Sequence, residues 1–312
     1  MNRLEAWIRI IRPPIVFISV FGASVGALNI TVGQGLYLDQ TSFIFSLLGA
    51  GFLAAGLMVH NDYTDLESDR VNRPSKPIPY GVISPETARI TGIILMALAV
   101  LFGFITTVNM QPDVSYIPYG INLPCGFLTL IVMLVGIIYN QAGKYTGIWG
   151  HVMVAFGVGV IPYWGALAVK PTDFYSMLPL AIAIGVMEIG REIMVCAGDI
   201  KGDIKAGYKT IPVRLGRIPS MFVVLPFYIG FIFIFPISYF GWCKFLKIFG
   251  DLYLWGAIIF ELILLFTWLD TYRVVKLGND RASWRAFERN IRTGTRLGVV
   301  FFQVILFLEV FY

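Results

Sequence analysis

The chain has 312 residues, of which 57% are hydrophobic and only 14% are charged, and its mean hydropathy is +0.75. Soluble domains carry about 25% charged residues, so this composition excludes a soluble protein and indicates one that crosses a membrane several times. The formal net charge of +5 lies mostly in short segments between apolar runs, which indicates membrane topology and contact with anionic lipid instead of nucleic-acid binding.

The apolar runs predict an all-α membrane protein with nine spanning helices around a central cavity, in a single domain over residues 1–312. A bilayer core about 30 Å thick requires roughly 20 apolar residues per helix. The runs cover 13–32, 42–60, 90–108, 122–139, 148–169, 176–195, 219–240, 252–269 and 296–312. The first run lacks a small-residue cleavage site, so we expect no cleaved signal peptide.

The second apolar run ends in acidic residues at helical spacing. This first acidic segment, residues 61–69, reads Asn61-Asp62-Tyr63-Thr64-Asp65-Leu66-Glu67-Ser68-Asp69, and Arg70, Arg73, Pro74, Lys76 and Pro77 follow it. Asn61, Asp65 and Asp69 are four residues apart, so we expect them to share one face of a helix. Carboxylates stacked in this way repel each other, so the arrangement requires cations between them.

The sixth apolar run ends in the same way. This second acidic segment, residues 199–203, places Asp199 and Asp203 on one helical face, and Lys205, Lys209 and Pro212 lie beyond it. The two segments are four predicted helices apart, which indicates a weak internal repeat. Membrane proteins built from repeats often hold their site at the repeat interface, so we predict that the two segments meet over the central cavity. Two solvated acidic helix ends are the alternative interpretation.

Two facing sets of carboxylates indicate a particular chemistry. Carboxylates near hydrocarbon require a charged partner or a metal ion. Hard oxygen ligands beside cationic side chains suit Mg²⁺ that bridges carboxylates to a diphosphate, and bound Mg²⁺ would neutralise that diphosphate as it leaves. A diphosphate that departs from an allylic carbon leaves a carbocation, which requires a dry, apolar and aromatic environment.

The distribution of basic residues predicts the topology. Five segments (1–12, 61–89, 140–147, 196–218 and 270–295) hold 19 of the 24 Lys and Arg residues. Because cytoplasmic segments are enriched in these residues, we expect the N-terminus in the cytoplasm and the C-terminus outside. Both acidic segments then face the cytoplasm, so we expect a multi-pass protein of the cell membrane whose site opens toward the cytoplasm.

The motifs around the two acidic segments resemble a known family. The first continues into Asn72-Arg73-Pro74-x-Lys76-Pro77-Ile78-Pro79, and the second lies between Arg191-Glu192-Ile193 and Gly207-Tyr208-Lys209-Thr210-Ile211-Pro212. These resemble the two signatures of the UbiA-type intramembrane prenyltransferases. Arg12-Pro13 and the stretch from Tyr139-Asn140 to Lys144 also fit, so the resemblance covers nearly the whole chain. Within the family, the first motif is most like archaeal digeranylgeranylglyceryl phosphate synthases, and chlorophyll synthases share a similar segment.

The resemblance implies roles for individual residues. Asp65, Asp69, Asp199 and Asp203 would be catalytic. The implied Mg²⁺ ligands, directly or through water, are Asn61, Asp65, Asp199 and Asp203. Asp62 and Asp69 would either be further ligands or orient Arg70 and Lys76. The implied substrate-binding residues are Arg12, Arg70, Lys76, Tyr139, Lys144 and Lys209. Ordinary positive-inside charge is the alternative for the basic residues, ion pairing within the loop for Arg70, and a place in the interfacial aromatic belt for Tyr139.

The resemblance further implies Mg²⁺-dependent transfer of an isoprenyl group, in our interpretation geranylgeranyl, from its diphosphate to a lipophilic acceptor. Our first choice of acceptor is geranylgeranylglyceryl phosphate, as in archaeal ether-lipid synthesis, and a quinone precursor or chlorophyllide is the alternative. A transporter of a phosphorylated metabolite is an alternative from another class, but no charged pathway leads to the other membrane face. We expect no obligate protein partner.

Some positions depart from the family pattern or invite simpler interpretations. Family members often carry Asp where this chain has Cys196, and Asn where it has His151. We expect Arg191 to pair with Glu188 or Glu192 on its own helix, and glycines such as Gly26 to permit close helix packing. The basic residues Arg281, Arg285, Arg289 and Arg292 predict an interfacial helix on anionic lipid, with a lid over the site as the alternative.

Overall fold

The structure is a computed structural model. It describes residues 1–107, 120–241, 249–277 and 281–312, and at positions 275, 277 and 281–293 it describes the backbone alone. Over these ranges the chain is helical, without strands. The helices are α1 (Arg3–Ile11), α2 (Pro13–Ile30), α3 (Gln40–Thr64), α4 (Leu66–Asn72), α5 (Pro85–Ile105), α6 (Leu123–Gln141), α7 (Ile148–Val169), α8 (Leu178–Lys205), α9 (Ile211–Leu215), α10 (Arg217–Ile234), α11 (Ile237–Phe240), α12 (Asp251–Leu277) and α13 (Arg281–Leu308). The predicted all-α fold class is confirmed.

Local sequence signals set several helix starts. Asn2, Asp39 and Ser84 cap α1, α3 and α5, and their side chains accept the backbone N–H of the residue three positions on at 2.8, 2.7 and 3.1 Å. Such caps satisfy backbone donors that the first turn of a helix leaves without a partner. Prolines in the first turn of α2 and α5, where no N–H is needed, complete this pattern.

Eight helices in the described part of the chain are long and apolar enough to cross a membrane. The predicted sixth span corresponds to α8, which is 28 residues long but falls outside this group. Glu188, Arg191 and Glu192 lie within its apolar stretch and make it more polar than the other long helices. Helix α8 packs against α7 and α10. Glu188 is buried, and only 23% of the Arg191 side chain and 13% of the Glu192 side chain are exposed, so these groups lie mostly within protein, as charged groups in a span require.

The crossing of α2 and α7 shows why small residues occur in the spans. A Cβ on Gly26 would lie 1.8 Å from the Pro162 carbonyl oxygen, and one on Gly165 would lie 2.0 Å from the Ala23 carbonyl oxygen. Any larger residue would therefore force the two helices apart. The prediction that Gly26 permits close packing is confirmed.

The last helix differs from the sequence prediction. Residues 281–292, predicted as a separate interfacial helix, form the first part of α13, which continues without a break to Leu308. No proline interrupts this stretch, so nothing in the sequence ends the helix before the apolar part begins. The side chains of Arg281, Arg285, Arg289 and Arg292 lie outside the described residues.

Candidate active site

The structure brings the two acidic segments together. The Ser68 hydroxyl on α4 donates a hydrogen bond of 3.2 Å to the carboxylate of Asp203 on α8. Arg73, just after α4, contacts Asp199 with Nη2–carboxylate distances of 2.6 and 2.8 Å. The ends of α3–α4 and of α8 therefore lie side by side at one end of the bundle, and the two segments belong to one site.

The first acidic segment is not one uninterrupted helix. Helix α3 ends at Thr64, Asp65 adopts φ −84° and ψ 5°, and α4 begins at Leu66. The Asp65 N–H still donates to the Asn61 carbonyl at 2.9 Å, and the Asp69 N–H donates to the Asp65 carbonyl at 2.8 Å. The four-residue spacing is kept, so the predicted alignment holds across a local break at Asp65.

Cationic side chains lie between the carboxylates, as their repulsion requires. Arg12 pairs with Asp62. The Lys76 ammonium lies 2.9 Å from an Asp62 oxygen and 2.5 Å from an Asp69 oxygen, so one lysine joins two carboxylates. Burial raises the pKa of Asp69 above its ordinary value, and the charge of Lys76 opposes this by lowering it. Arg12 and Lys76 therefore provide the cations that the repulsion between these carboxylates was predicted to require.

Arg12 reaches Asp62 from an unusual backbone conformation. Among the described residues it is the only one other than glycine with a positive φ, at 57°. This left-handed conformation costs an ordinary residue roughly 1–2 kcal/mol, and it separates α1 from α2 just before Pro13. The break at Arg12 lets α1 turn away from α2 while the guanidinium points at the first acidic segment.

Lys144 lies at the centre of the site. Its ammonium pairs with Asp65 and stands 5.6 and 5.2 Å from the ring centroids of Tyr139 and Tyr208. Burial lowers the pKa of Lys144, but the carboxylates of Asp65 and Asp203 outweigh this, so the pKa is raised overall and the lysine is charged. A carboxylate and two ring faces thus hold this cation in place.

Tyr208 is a site residue that sequence reasoning missed. Its hydroxyl donates to the Asp65 carboxylate at 3.2 Å, and burial raises its pKa. It is held there by the turn after α8, where the Tyr208 N–H donates to the Asp203 carbonyl at 2.8 Å. The tyrosine stands inside the second family signature, Gly207-Tyr208-Lys209, so its position in that motif was the available signal.

The predicted substrate residue Tyr139 faces α8. Its hydroxyl donates to Glu192 at 3.4 Å, and the Cys196 thiol lies 3.8 Å from the same Glu192 oxygen. Arg191 pairs with Glu188, with a distance of 2.6 Å between Nε and the carboxylate, so the expected pairing on this helix is confirmed. One side of the site is therefore formed by Tyr139, Glu192 and Cys196.

Two predicted substrate-binding side chains lie away from this cluster. Arg70 is exposed and pairs with Glu67 at 2.7 Å, because it follows the buried Asp69 by one residue and a helix turns about 100° per residue. The Lys209 side chain is also exposed, and only its backbone N–H joins the site, by donating to the Lys144 carbonyl at 2.8 Å. For Arg70, the alternative of ion pairing within the loop describes the structure.

The donor chemistry suits Mg²⁺, although the arrangement is not a preformed metal site. Among the described residues, no group of three or more His, Cys, Asp or Glu side chains is placed to hold a metal ion. The carboxylates contact Lys, Arg, Tyr and Ser side chains instead, and the Asn61 amide donates to Asn140 at 3.0 Å. Hard oxygen donors on both segments nonetheless match the ligands that Mg²⁺ prefers.

Cys196→Asp is expected to lower the Mg²⁺ concentration for half-maximal activity by several-fold. The new carboxylate would stand near Asp199 and Asp203, and carboxylates close to a divalent ion strengthen its binding. Cys196→Ser, which adds no charge, is the control and should leave the Mg²⁺ dependence unchanged. An unchanged Mg²⁺ dependence in Cys196→Asp would show that position 196 serves only the contact with Glu192.

Comparison with known proteins gives consistent matches. The model of the UbiA prenyltransferase family matches residues 19–294. The digeranylgeranylglyceryl phosphate synthase of Thermococcus sibiricus is 31% identical over 214 residues, which are 68% of this chain and 69% of the relative. The synthase of the same name from Sulfolobus acidocaldarius is 29% identical over 247 residues, or 79% of this chain and 84% of the relative.

Solved structures share the fold. A structure described in a study of digeranylgeranylglyceryl phosphate synthase in membranes matches with a TM-score of 0.64 at 22% identity, over 98% of this chain and 99% of the other. A UbiA homolog from Archaeoglobus fulgidus bound to DMAPP and Mg²⁺ matches with a TM-score of 0.65 at 15% identity, over 97% and 99%. At these identities the structural likeness establishes the arrangement of helices.

Proposed function

Because the chain belongs to the UbiA prenyltransferase family, we propose that it transfers a geranylgeranyl group from its diphosphate to the hydroxyl of geranylgeranylglyceryl phosphate, in a Mg²⁺-dependent step of archaeal ether-lipid synthesis. The observation that carries this proposal is the meeting of two acidic segments, interleaved with cations, at one end of a membrane helix bundle. The matched synthases support the choice of acceptor.

The charges of the site suit a Mg²⁺–diphosphate. The two acidic segments together contain five aspartates: Asp62, Asp65, Asp69, Asp199 and Asp203. Four cationic side chains (Arg12, Arg73, Lys76 and Lys144) neutralise most of their negative charge. Bound Mg²⁺ would supply positive charge to the carboxylates and to the departing diphosphate. Arg12, Arg73 and Lys76, no longer needed by the carboxylates, could then donate to the oxygens of the diphosphate, which are good partners for charged donors. On binding, the carboxylates would therefore exchange their cationic side-chain partners for Mg²⁺, and those side chains would bind the diphosphate. The net charge of the site would stay small.

Lys144 and the tyrosines around it suit two further requirements of prenyl transfer: stabilisation of the allylic cation and binding of the acceptor. The ring faces of Tyr139 and Tyr208 already hold one cation, and the same faces could stabilise the positive charge that develops on an allylic carbon. We assign Lys144 to the acceptor phosphate, since it pairs with Asp65, whereas Arg12 and Lys76 share the partner Asp62. A neutral aromatic acceptor would not require such a charge.

We also propose that the site opens toward the cytoplasm. The two acidic segments meet at one end of the bundle, and the segments at that end carry most of the basic residues, as cytoplasmic segments do. A site that opens on this side would release its soluble diphosphate product into the cytoplasm. The multi-pass membrane location itself follows from the family and from the long apolar helices.

A competition between acceptors tests the proposed substrate. Purified protein in lipid nanodiscs, given labelled geranylgeranyl diphosphate and Mg²⁺, should prenylate geranylgeranylglyceryl phosphate in preference to 4-hydroxybenzoate or homogentisate. Product chromatography with each acceptor alone and in mixtures gives the ratio of kcat/KM values. Efficient prenylation of an aromatic acceptor, with none of the glycerol phosphate, would overturn the choice of acceptor and leave the prenyltransferase class standing.

A further inference from the structure

Asn72, the last residue of α4, binds directly to the backbone of α8. Its amide nitrogen donates to the Asp199 carbonyl at 3.0 Å, and its amide oxygen accepts the Gly202 N–H at 2.9 Å. The same nitrogen lies 3.2 Å from the Ser68 hydroxyl, which in turn donates to Asp203. One carboxamide therefore contacts α8 between its two aspartates and is linked through Ser68 to the second of them.

The chemistry of this contact is specific to an amide. A carboxamide carries a donor and an acceptor side by side, so it can satisfy a carbonyl and an N–H of another segment together. An aspartate at the same place would set a second acceptor against the Asp199 carbonyl. A side chain without polar atoms would make neither bond. This amide thus ties α4 to the backbone of α8, in addition to the side-chain contacts of Ser68 with Asp203 and of Arg73 with Asp199.

Gly202 provides the space for the contact. A Cβ at this position would lie 2.2 Å from Asn72 Nδ2 and 2.5 Å from its Cγ. Glycine inside a helix costs roughly 1 kcal/mol relative to alanine, so its place in α8 calls for a local reason. The close approach of the Asn72 amide is that reason.

We propose that Asn72 and Gly202 form a clamp that fixes the spacing of the two acidic segments. Asn72 is a positioning residue in this proposal, because it acts through Asp199 and through Ser68 on Asp203. The consequence for Mg²⁺ rests on the proposed function: ligands from two helices bind one ion–diphosphate complex only when their spacing is held. Groups that orient metal ligands typically change metal affinity by about 10–100-fold when they are lost.

Two measurements test the clamp. The first is the Mg²⁺ concentration for half-maximal transfer, which Asn72→Ala and Gly202→Ala should each raise by about tenfold. The double variant should be no worse than either single variant, because both remove the same contact. Val71→Ala, an exposed neighbour on α4, is the matched control and should change nothing.

The second measurement needs no substrate or metal. Spin labels at positions 67 and 201, both exposed, report the distance between α4 and α8 in protein whose native cysteines are replaced by alanine. We expect a narrow distance distribution that Asn72→Ala broadens or shifts. An unchanged distribution, or variants that unfold at lower temperature with an unchanged Mg²⁺ requirement, would overturn the clamp. If the wild-type protein transfers nothing, the proposed function fails, and the spin-label distances alone decide for or against the clamp.

Discussion

Asp65→Asn and Asp199→Asn are each expected to reduce the rate of prenyl transfer by about 10²-fold or more while the protein stays folded. The two residues belong to different acidic segments, and the substitution keeps the size of the side chain while it removes the charge that would hold Mg²⁺. Turnover of labelled geranylgeranyl diphosphate by purified protein gives the rate, and thermal unfolding followed by tryptophan fluorescence checks the fold.

Glu67→Gln is the matched control for these variants. Glu67 is an acidic residue of the same first segment, but its carboxylate is largely exposed and pairs with Arg70 outside the cluster. Its substitution should leave turnover unchanged. Wild-type rates in a well-folded Asp65→Asn or Asp199→Asn protein would remove that aspartate from the proposed site.

Lys144→Ala is expected to destabilise the substrate-free protein by about 3 kcal/mol, because it leaves the buried Asp65 carboxylate without its ion-pair partner. The pair is mostly buried, with 14% and 12% of the two side chains exposed, so solvent screens it only weakly. The melting temperature in detergent should fall, and Asp65→Asn in the Lys144→Ala background should restore part of the loss. If the losses of melting temperature from the two single substitutions simply add in the double variant, the ion pair contributes nothing to stability.

The same Lys144 variant separates acceptor binding from donor binding. We expect its apparent KM for geranylgeranylglyceryl phosphate to rise more than its KM for the diphosphate, which is the pattern of lost acceptor binding. Lys209→Ala is a useful comparison, since the Lys209 side chain is exposed and joins the site through its backbone alone. A larger effect on the donor KM would assign Lys144 to the diphosphate.

Much of the fold could be predicted from the sequence. Long apolar runs predicted the long helices, and four-residue spacing of aspartates at two helix ends predicted clusters that the structure brings together. Local rules of this kind depend on residues close in sequence. Such rules erred at one place: the basic residues at 281–292 extend α13 instead of forming a separate helix. The charged residues within α8 did not mislead them, because Arg191 pairs with Glu188 on its own helix as expected.

The contact of Lys76 with Asp62 and Asp69 was one of the alternatives that the sequence offered, but the partners that come from distant segments could not be predicted. Nothing near Asp65 in sequence indicates that Lys144 and Tyr208 reach it, 79 and 143 residues further along the chain. The same holds for Asn72, whose amide meets α8 only because α4 packs against it. Arg70 shows the converse: the family resemblance implied substrate contact for it, yet the helical turn carries it to the surface, where the alternative of ion pairing within the loop holds.

Equilibrium binding of the donor tests most directly whether the two acidic segments hold the diphosphate together. A thiolo analogue of geranylgeranyl diphosphate, in which sulfur replaces the bridging oxygen, can be titrated calorimetrically into the purified protein with Mg²⁺ or with EDTA. We expect binding that requires Mg²⁺ and that Asp65→Asn and Asp199→Asn each weaken by about tenfold or more. Binding of equal strength in EDTA, or in either variant, would contradict a shared Mg²⁺–diphosphate site.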